Sequence, residues 1–162
     1  MLIRKAKTED LPAVVDIYNQ SIPHRISTAD LDTLSVDDRK DWWAHHQKPN
    51  RPLWVSETDG EVAGWIGFQD FKSRCAYDTT VEISIYLADR HKGKGLSKLL
   101  MEHALGEARA IGLKHIVALV FGHNLPSISL FQKYGFVQWG LLPRIAELDG
   151  IRRDLLILGV EL

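Results

Sequence analysis

The chain has 162 residues, 45% of them hydrophobic and 25% charged, with 20 Lys and Arg against 21 Asp and Glu for a formal charge of -1. That is the composition of an ordinary globular domain, and it excludes a disordered chain and any overall field drawing the protein to nucleic acid or an anionic membrane. Cys75 is the only cysteine, which excludes an intramolecular disulfide and a thiolate zinc cluster.

A chain of this size buries about 70% of its unfolded surface, so a core forms without a disulfide or structural metal. The longest apolar runs, about six residues, fall far short of the ~20 that a spanning helix needs. No apolar stretch of signal-peptide length follows Met1. The expectation is one cytoplasmic domain over residues 1–162, with no repeat and no linker.

Leu2–Lys5 reads as a first strand. Asp10–Ser21 reads as a helix, because Leu11, Val14, Val15, Ile17 and Tyr18 recur at helical spacing. Ile22–Leu34 has no period and is expected to be a loop. Ser35 followed by Asp38 resembles a capping box that opens a helix over Val36–Gln47. Leu53–Glu57 and Glu61–Phe68 flank an Asp59-Gly60 pair, the signature of a hairpin. From Thr80 to Leu87 alternation is strict: Val81, Ile83, Ile85 and Leu87 share one face, with Glu82, Ser84 and Tyr86 on the other.

A helix then runs from about Gly95 to Ile111, its apolar face assigned to Leu96, Leu99, Leu100, Ala104, Ala108 and Ile111, and Gly112 ends it. His115–Phe121 is a buried strand, Pro126–Tyr134 a shorter helix stopped by Gly135, and Phe136–Leu141 a strand. After an Asp149-Gly150 turn, Leu155–Leu162 closes the chain. Adjacent strands mixed with strand-helix-strand units predict an α/β (α+β) fold. Its sheet is mixed and mostly antiparallel, of about six to seven strands flanked by about four helices.

The chemistry concentrates in Arg90, His91, Lys92, Gly93, Lys94, Gly95, with Leu96 and Ser97 opening the helix behind them. Two glycines let the backbone turn sharply and approach a ligand closely. The free N–H groups of the helix start point outward as anion donors, and the three basic residues add local charge. The spacing is not that of a P-loop, and Lys98 stands where a dinucleotide-binding fingerprint places its third glycine.

Arg-x-x-Gly-x-Gly between strand and helix resembles the acetyl-CoA loop of the GNAT-type N-acetyltransferases. Asn124, Ser127, Leu130, Phe131, Gly135 and Phe136 resemble the later motif of the same superfamily. Within it, Ala76-Tyr77-Asp78 leading to Val81-Glu82, Tyr86, and Trp139-Gly140-Leu141-Leu142-Pro143 are similar to the phosphinothricin and methionine sulfoximine acetyltransferases.

The resemblance implies that acetyl-CoA binds at Arg90–Ser97, that backbone groups of Ile85, Tyr86 and Leu87 pair with its pantetheine arm, and that Asn124 and Ser127 reach the arm from the far side. The acceptor is expected to be the primary amine of a small amino-acid-like molecule. Glu82, the only carboxylate on its strand's polar face, is the candidate base; a salt-bridged or solvated carboxylate is the alternative. A backbone N–H, that of Ile85, is the natural oxyanion donor. Phe131 stands where many relatives carry a tyrosine, which leaves Tyr134 or solvent as the acid.

Lys72 and Arg74 are placed to hold an acceptor carboxylate, unless they are simply solvated, and Ser73 and Ser84 to contact the acceptor. Trp43 or Phe68 is a candidate pocket wall. His45 and His46 lack the spacing that puts two ligands on one helix face, so no metal is expected. The resemblance further implies a homodimer. Other acceptors, a protein N-terminus, a lysine or a polyamine, remain open, as does a non-catalytic acyl-CoA sensor.

Overall fold

The computed structural model describes all of residues 1–162. Seven strands form one sheet in the order β1-β2-β3-β4-β5-β7-β6. They are β1 (Leu2–Lys5), β2 (Leu53–Thr58), β3 (Glu61–Asp70), β4 (Thr80–Leu87), β5 (His115–Phe121), β6 (Val137–Leu148) and β7 (Ile151–Glu161). Only β4 and β5 run parallel, joined by helix α3 (Leu96–Ala110); all other neighbours are antiparallel. The remaining helices are α1 (Leu11–Ser21), α2 (Lys40–His45) and α4 (Leu125–Lys133).

Strand alternation sorts the core into two layers. One face carries Trp54, Ile66, Phe68, Val81, Ile83, Ile116, Ala118, Val120 and Leu158, packed under α3 and α4. The opposite face carries Leu53, Val55 and Trp65, packed under α1 and α2 with Trp43. Trp43 and Phe68 are therefore core residues, buried on opposite faces of the sheet. α1 and α2 cover the β1–β4 half of their face and leave the β5-β7-β6 half bare, where Leu119, Trp139 and Ile151 are exposed. The Trp139 ring lies across Gly159, where a Cβ would fall 2.0 Å from it.

The hairpin turns fold as their residues dictate. Asp59-Gly60 and Asp149-Gly150 all take positive φ, which a two-residue turn between right-twisted strands requires. The capping box forms reciprocally, Ser35 N–H donating to Asp38 Oδ2 (2.8 Å) and Asp38 N–H to Ser35 Oγ (3.1 Å). It opens a short 3-10 turn (Asp37–Arg39) before α2, and regular helix ends at His45 rather than Gln47.

Two expectations need correcting. On α3 the buried stripe is Leu96, Leu100, Met101, Ala104, Leu105 and Ala108, whereas Leu99 and Ile111 are exposed. Apolar residues cover more than half of that helix, so periodicity alone leaves its rotation open by one row. The last two strands are longer than read, because β6 continues through Pro143 by an irregular register between Leu142 and Ala146. Proline signals the end of a regular strand, but an edge strand with a bulge tolerates it.

Candidate active site

β4 and β5 pair only over Thr80–Glu82 with His115–Val117 and then splay apart. β4 stays paired to β3 as far as Leu87, and β5 to β7 as far as Phe121. The direction of the free groups follows from two hydrogen bonds. Thr79 C=O accepts from Lys114 (2.8 Å) and His115 (3.3 Å) on the β5 side, while Ala88 N–H turns the other way to Ala63 C=O (3.0 Å). Alternation between these points sends the backbone N–H and C=O of Ile83, Ile85 and Leu87 into the opening. Tyr86, in contrast, turns its backbone to β3, so the expectation of a backbone contact from Tyr86 is corrected. Its ring packs against Tyr18 (5.0 Å) and Trp65 (4.9 Å), and its hydroxyl donates to Ser27 C=O (3.3 Å).

Two adjoining cavities occupy the opening, of about 310 and 340 Å³. Ile85, Tyr86, Asn124, Ser127 and Ser27 border both. One cavity extends to Glu82, Ser84 and Phe131, the other to Leu87, Lys92, Gly93 and Ser97. Together they make a cleft that passes through the sheet from the α3 N-terminus to Glu82.

At the α3 end, Gly93 and Gly95 both take positive φ (73° and 80°), and Gly95 is the N-cap. The N–H groups of Gly93, Lys94, Gly95, Leu96 and Ser97 have no acceptor within the chain. This is an anion cradle at the positive end of a helix. Leu96 contributes only its N–H, since its side chain is in the core. The basic side chains divide. Lys92 borders the cleft, bonded to Asp89 at 2.5 Å. Arg90 turns away to pair with Glu61 and donates to His91 (3.2 Å), and Lys94 lies with them outside the cleft. The side chains of Arg90, His91 and Lys94 thus lie outside the cleft, Lys94 offering its backbone N–H to the cradle.

Asn124 is the N-cap of α4: its Oδ1 accepts from Ser127 N–H (3.2 Å), fixing the amide so that its NH₂, which has no partner in the chain, faces the cleft. Phe131 sits on the cleft wall, buried against Phe136. Tyr134 points elsewhere, its hydroxyl donating to Glu102 on α3 (3.0 Å).

Glu82 is the only charged side chain on the cavity wall at its end. Burial pushes its carboxyl above the ordinary glutamate range, partly offset by Gln69 opposite on β3 and by the positive charge of Lys72. Ser84, two residues on, shares that wall. Lys72, Ser73 and Arg74 are exposed on the β3–β4 connection and border neither cavity, with Lys72 lying over the Phe71 ring. Of the loop residues named for the acceptor, Lys72 alone acts at this end, through its field on Glu82.

One contributor carries no sequence signal. The aperiodic segment after α1 crosses the cleft and lines it with Ser27, Thr28 and Ala29. It is pinned by Arg25 Nε to Asp149 (2.8 Å), by His123 Nε2–H to Arg25 C=O (2.8 Å), and by the Asn19 amide to Leu34 at both N–H and C=O. All of these partners except Asn19 and Leu34 are distant in sequence, which is why the segment read only as a loop.

The family model described as Acetyltransferase (GNAT) family matches residues 11–136. A Bacillus subtilis (strain 168) protein, provisionally named a phosphinothricin acetyltransferase, is 47% identical over 163 residues, covering 100% of this chain and 99% of that one. The L-methionine sulfoximine/L-methionine sulfone acetyltransferase of Salmonella typhimurium is 33% identical over 162 residues, covering 100% and 95%. The crystal structure of a GNAT superfamily phosphinothricin acetyltransferase from Sinorhizobium meliloti in complex with AcCoA superposes with a TM-score of 0.94 at 27% identity, covering 99% and 88%.

Proposed function

The chain belongs to the GNAT acetyltransferase family and is an acetyl-CoA-dependent N-acetyltransferase; we propose that it acetylates the primary amine of a small amino-acid-like molecule of the phosphinothricin or methionine sulfoximine and sulfone type. The single observation that carries this reading is the through-sheet cleft, with an anion cradle at one end and a lone, half-buried carboxylate at the other.

The residues fit the cofactor's chemistry. The free N–H groups of Gly93–Ser97 suit its pyrophosphate, and the unpaired backbone of Ile85 and Leu87 with the Asn124 amide suits the two amides of its pantetheine arm. Acetyl-CoA supplies an acyl thioester open to attack by an amine.

Glu82 accepts a proton from the acceptor ammonium, releasing the neutral amine that attacks. The Ile85 N–H faces the opening, where it donates to a carbonyl oxygen gaining negative charge. No hydroxyl acid stands at Phe131, and Tyr134 is bonded to Glu102 outside the cleft; Tyr86 is the phenol on the wall, kept protonated by burial. Access from the acceptor side is narrowed by Ser27–Ala29, which limits the acceptor to a small molecule.

The exposed apolar residues of β6, Val137, Trp139, Leu141 and Ile145, support a homodimer as part of the proposal. No helix is long and apolar enough to cross a membrane, and a cytoplasmic location belongs to the same proposal. A thiol-release assay with acetyl-CoA against phosphinothricin, methionine sulfone, lysine peptides and polyamines tests the acceptor class. Turnover is expected on the first two; turnover only on the cationic acceptors, or cofactor binding without turnover on any amine, overturns the reading.

A further inference from the structure

The segment that crosses the cleft is held by side chains rather than by its own backbone. Residues 26–33 belong to no helix or strand and make no backbone–backbone hydrogen bond. Such a segment opens at low cost unless something else ties it down. The Arg25 and Asn19 contacts fix its ends, but Ser27, Thr28 and Ala29, which line the cleft, lie between those anchors. Two tyrosines reach them there. Tyr86 of β4 donates to Ser27 C=O (3.3 Å), and Tyr18 of α1 meets the Thr28 side chain.

The Tyr18 contact is a closed ring of hydrogen bonds. The Tyr18 hydroxyl donates its one proton to Asp30 Oδ2, so the Thr28 hydroxyl is the donor in the bond between Thr28 and Tyr18. Thr28 Oγ1 in turn accepts from Asp30 N–H (3.2 Å), which closes the ring. Burial, reinforced by the neighbouring Asp30 carboxylate, pushes the Tyr18 hydroxyl up to about 12, so it stays a donor at neutral pH. The Tyr18 ring packs against Tyr86 (centroids 5.0 Å apart) and lies under the Arg39 guanidinium (4.3 Å). Tyr18 borders neither cavity. Its hydroxyl therefore acts on the cleft only through Thr28 and Asp30.

We propose that Tyr18 is a positioning residue for the acceptor: through Thr28 and Asp30 it holds residues 27–29 at the height that admits a small amine and shuts out bulkier ones and water. The proposal deepens the acceptor reading above and rests on it for the size of the molecule admitted. A phenol holds the crossing at little entropic cost, because its ring is already fixed by packing and only the hydroxyl is presented. The cofactor cradle is built from the N–H groups of Gly93–Ser97, which Tyr18 does not touch. The acceptor end is therefore the one that Tyr18 governs.

Tyr18→Phe removes the hydroxyl and keeps the ring. In the free enzyme the Asp30 N–H, the one amide of residues 26–33 with an acceptor in the chain, is expected to exchange with solvent about fivefold faster or more. The Leu34 N–H, held by Asn19, serves as the control that does not move. Unchanged exchange at Asp30 overturns the inference. In steady-state kinetics the acceptor KM is expected to rise about fivefold, with kcat and the acetyl-CoA KM within about twofold of the wild type, and the preference for small over bulky amino acids to weaken. An acceptor KM that stays put, or an acetyl-CoA KM that rises equally, overturns the inference while leaving the proposed activity intact. Asp30→Ala should reproduce Tyr18→Phe, whereas Asp30→Asn, which keeps an oxygen to accept the Tyr18 proton, should stay near the wild type; equal loss in both Asp30 variants counts against the ring. Should the wild type acetylate no amino acid, thiol release from acetyl-CoA by water alone decides the matter separately: a several-fold faster release in Tyr18→Phe supports the positioning role, and an unchanged rate overturns it.

Discussion

Glu82 shows how a single side chain acquires its chemistry from its surroundings. Its position on the polar face of β4 was legible in the alternation of Thr80–Leu87, but its burial was not, because that depends on β5 and the Ser27–Ala29 crossing. A carboxyl with a raised pKa works as a base only once pH has passed it, so kcat/KM should climb through an ionisation above the usual glutamate range. Glu82→Gln is expected to cost about 10²-fold or more in kcat/KM, with a deficit that narrows at high pH, where free amine forms without help. Because the ionised carboxylate is penalised by burial, the same variant should melt no lower than the wild type at neutral pH; a loss of stability alongside full activity would remove Glu82 from the mechanism.

His46 makes the opposite case, a titrating group outside the site. It is buried, its Nδ1 meeting Arg51 C=O (3.2 Å) and its Nε2 unpartnered, and burial pushes its pKa down to about 4. The unfolded chain binds the proton at about 6.5. Stability should therefore fall as pH drops from about 6.5 toward 4, by an amount on the order of 3 kcal/mol. Denaturant melts across that window should show a shallower fall for His46→Gln. An identical slope would mean that other groups set the acid limb.

Among the elements, the junction of β4 and α3 is the one whose role and geometry were both readable, since two glycines between a strand and a helix already imply a tight turn with free N–H groups. What the residues could not show is which basic side chains point inward. Arg90 is drawn off by Glu61, a residue far back on β3, and only Lys92 borders the cleft. Gly95→Ala probes the backbone alone, because nothing lies within 4 Å of the added Cβ and the only penalty is the positive φ. A cost of about 1–2 kcal/mol is expected in chemical denaturation, together with a rise in the KM for acetyl-CoA that the acceptor KM does not share. Equal effects on both would count against a cradle specific to the cofactor. The rotation of α3 and the length of β6 were misjudged for a common reason: local pattern sets the type of an element, whereas the surface it packs on sets its phase and its end.

At the scale of the whole molecule, α1 and α2 cover one half of a sheet face and leave the other half, with the β6 edge, apolar and open to water. A long exposed edge strand invites pairing with another chain. Placing charges there by Val137→Lys with Ile145→Lys, both more than half exposed, is expected to convert a dimer to a monomer in sedimentation while sparing the fold. A wild type that sediments as a monomer would end the dimer proposal. The sequence by itself determined the element types, the turns at Asp59-Gly60 and Asp149-Gly150, and the glycine cradle. Each of these rests on a residue's own conformational range or on a short repeat period. Only the tertiary structure decided that β4 and β5 part after Glu82, that Ser27–Ala29 roofs the opening, and that Arg90 turns away to Glu61 while Lys92 borders the cleft. Those facts come from contacts between residues far apart along the chain, whose meeting is set by how the sheet is ordered and no local pattern records.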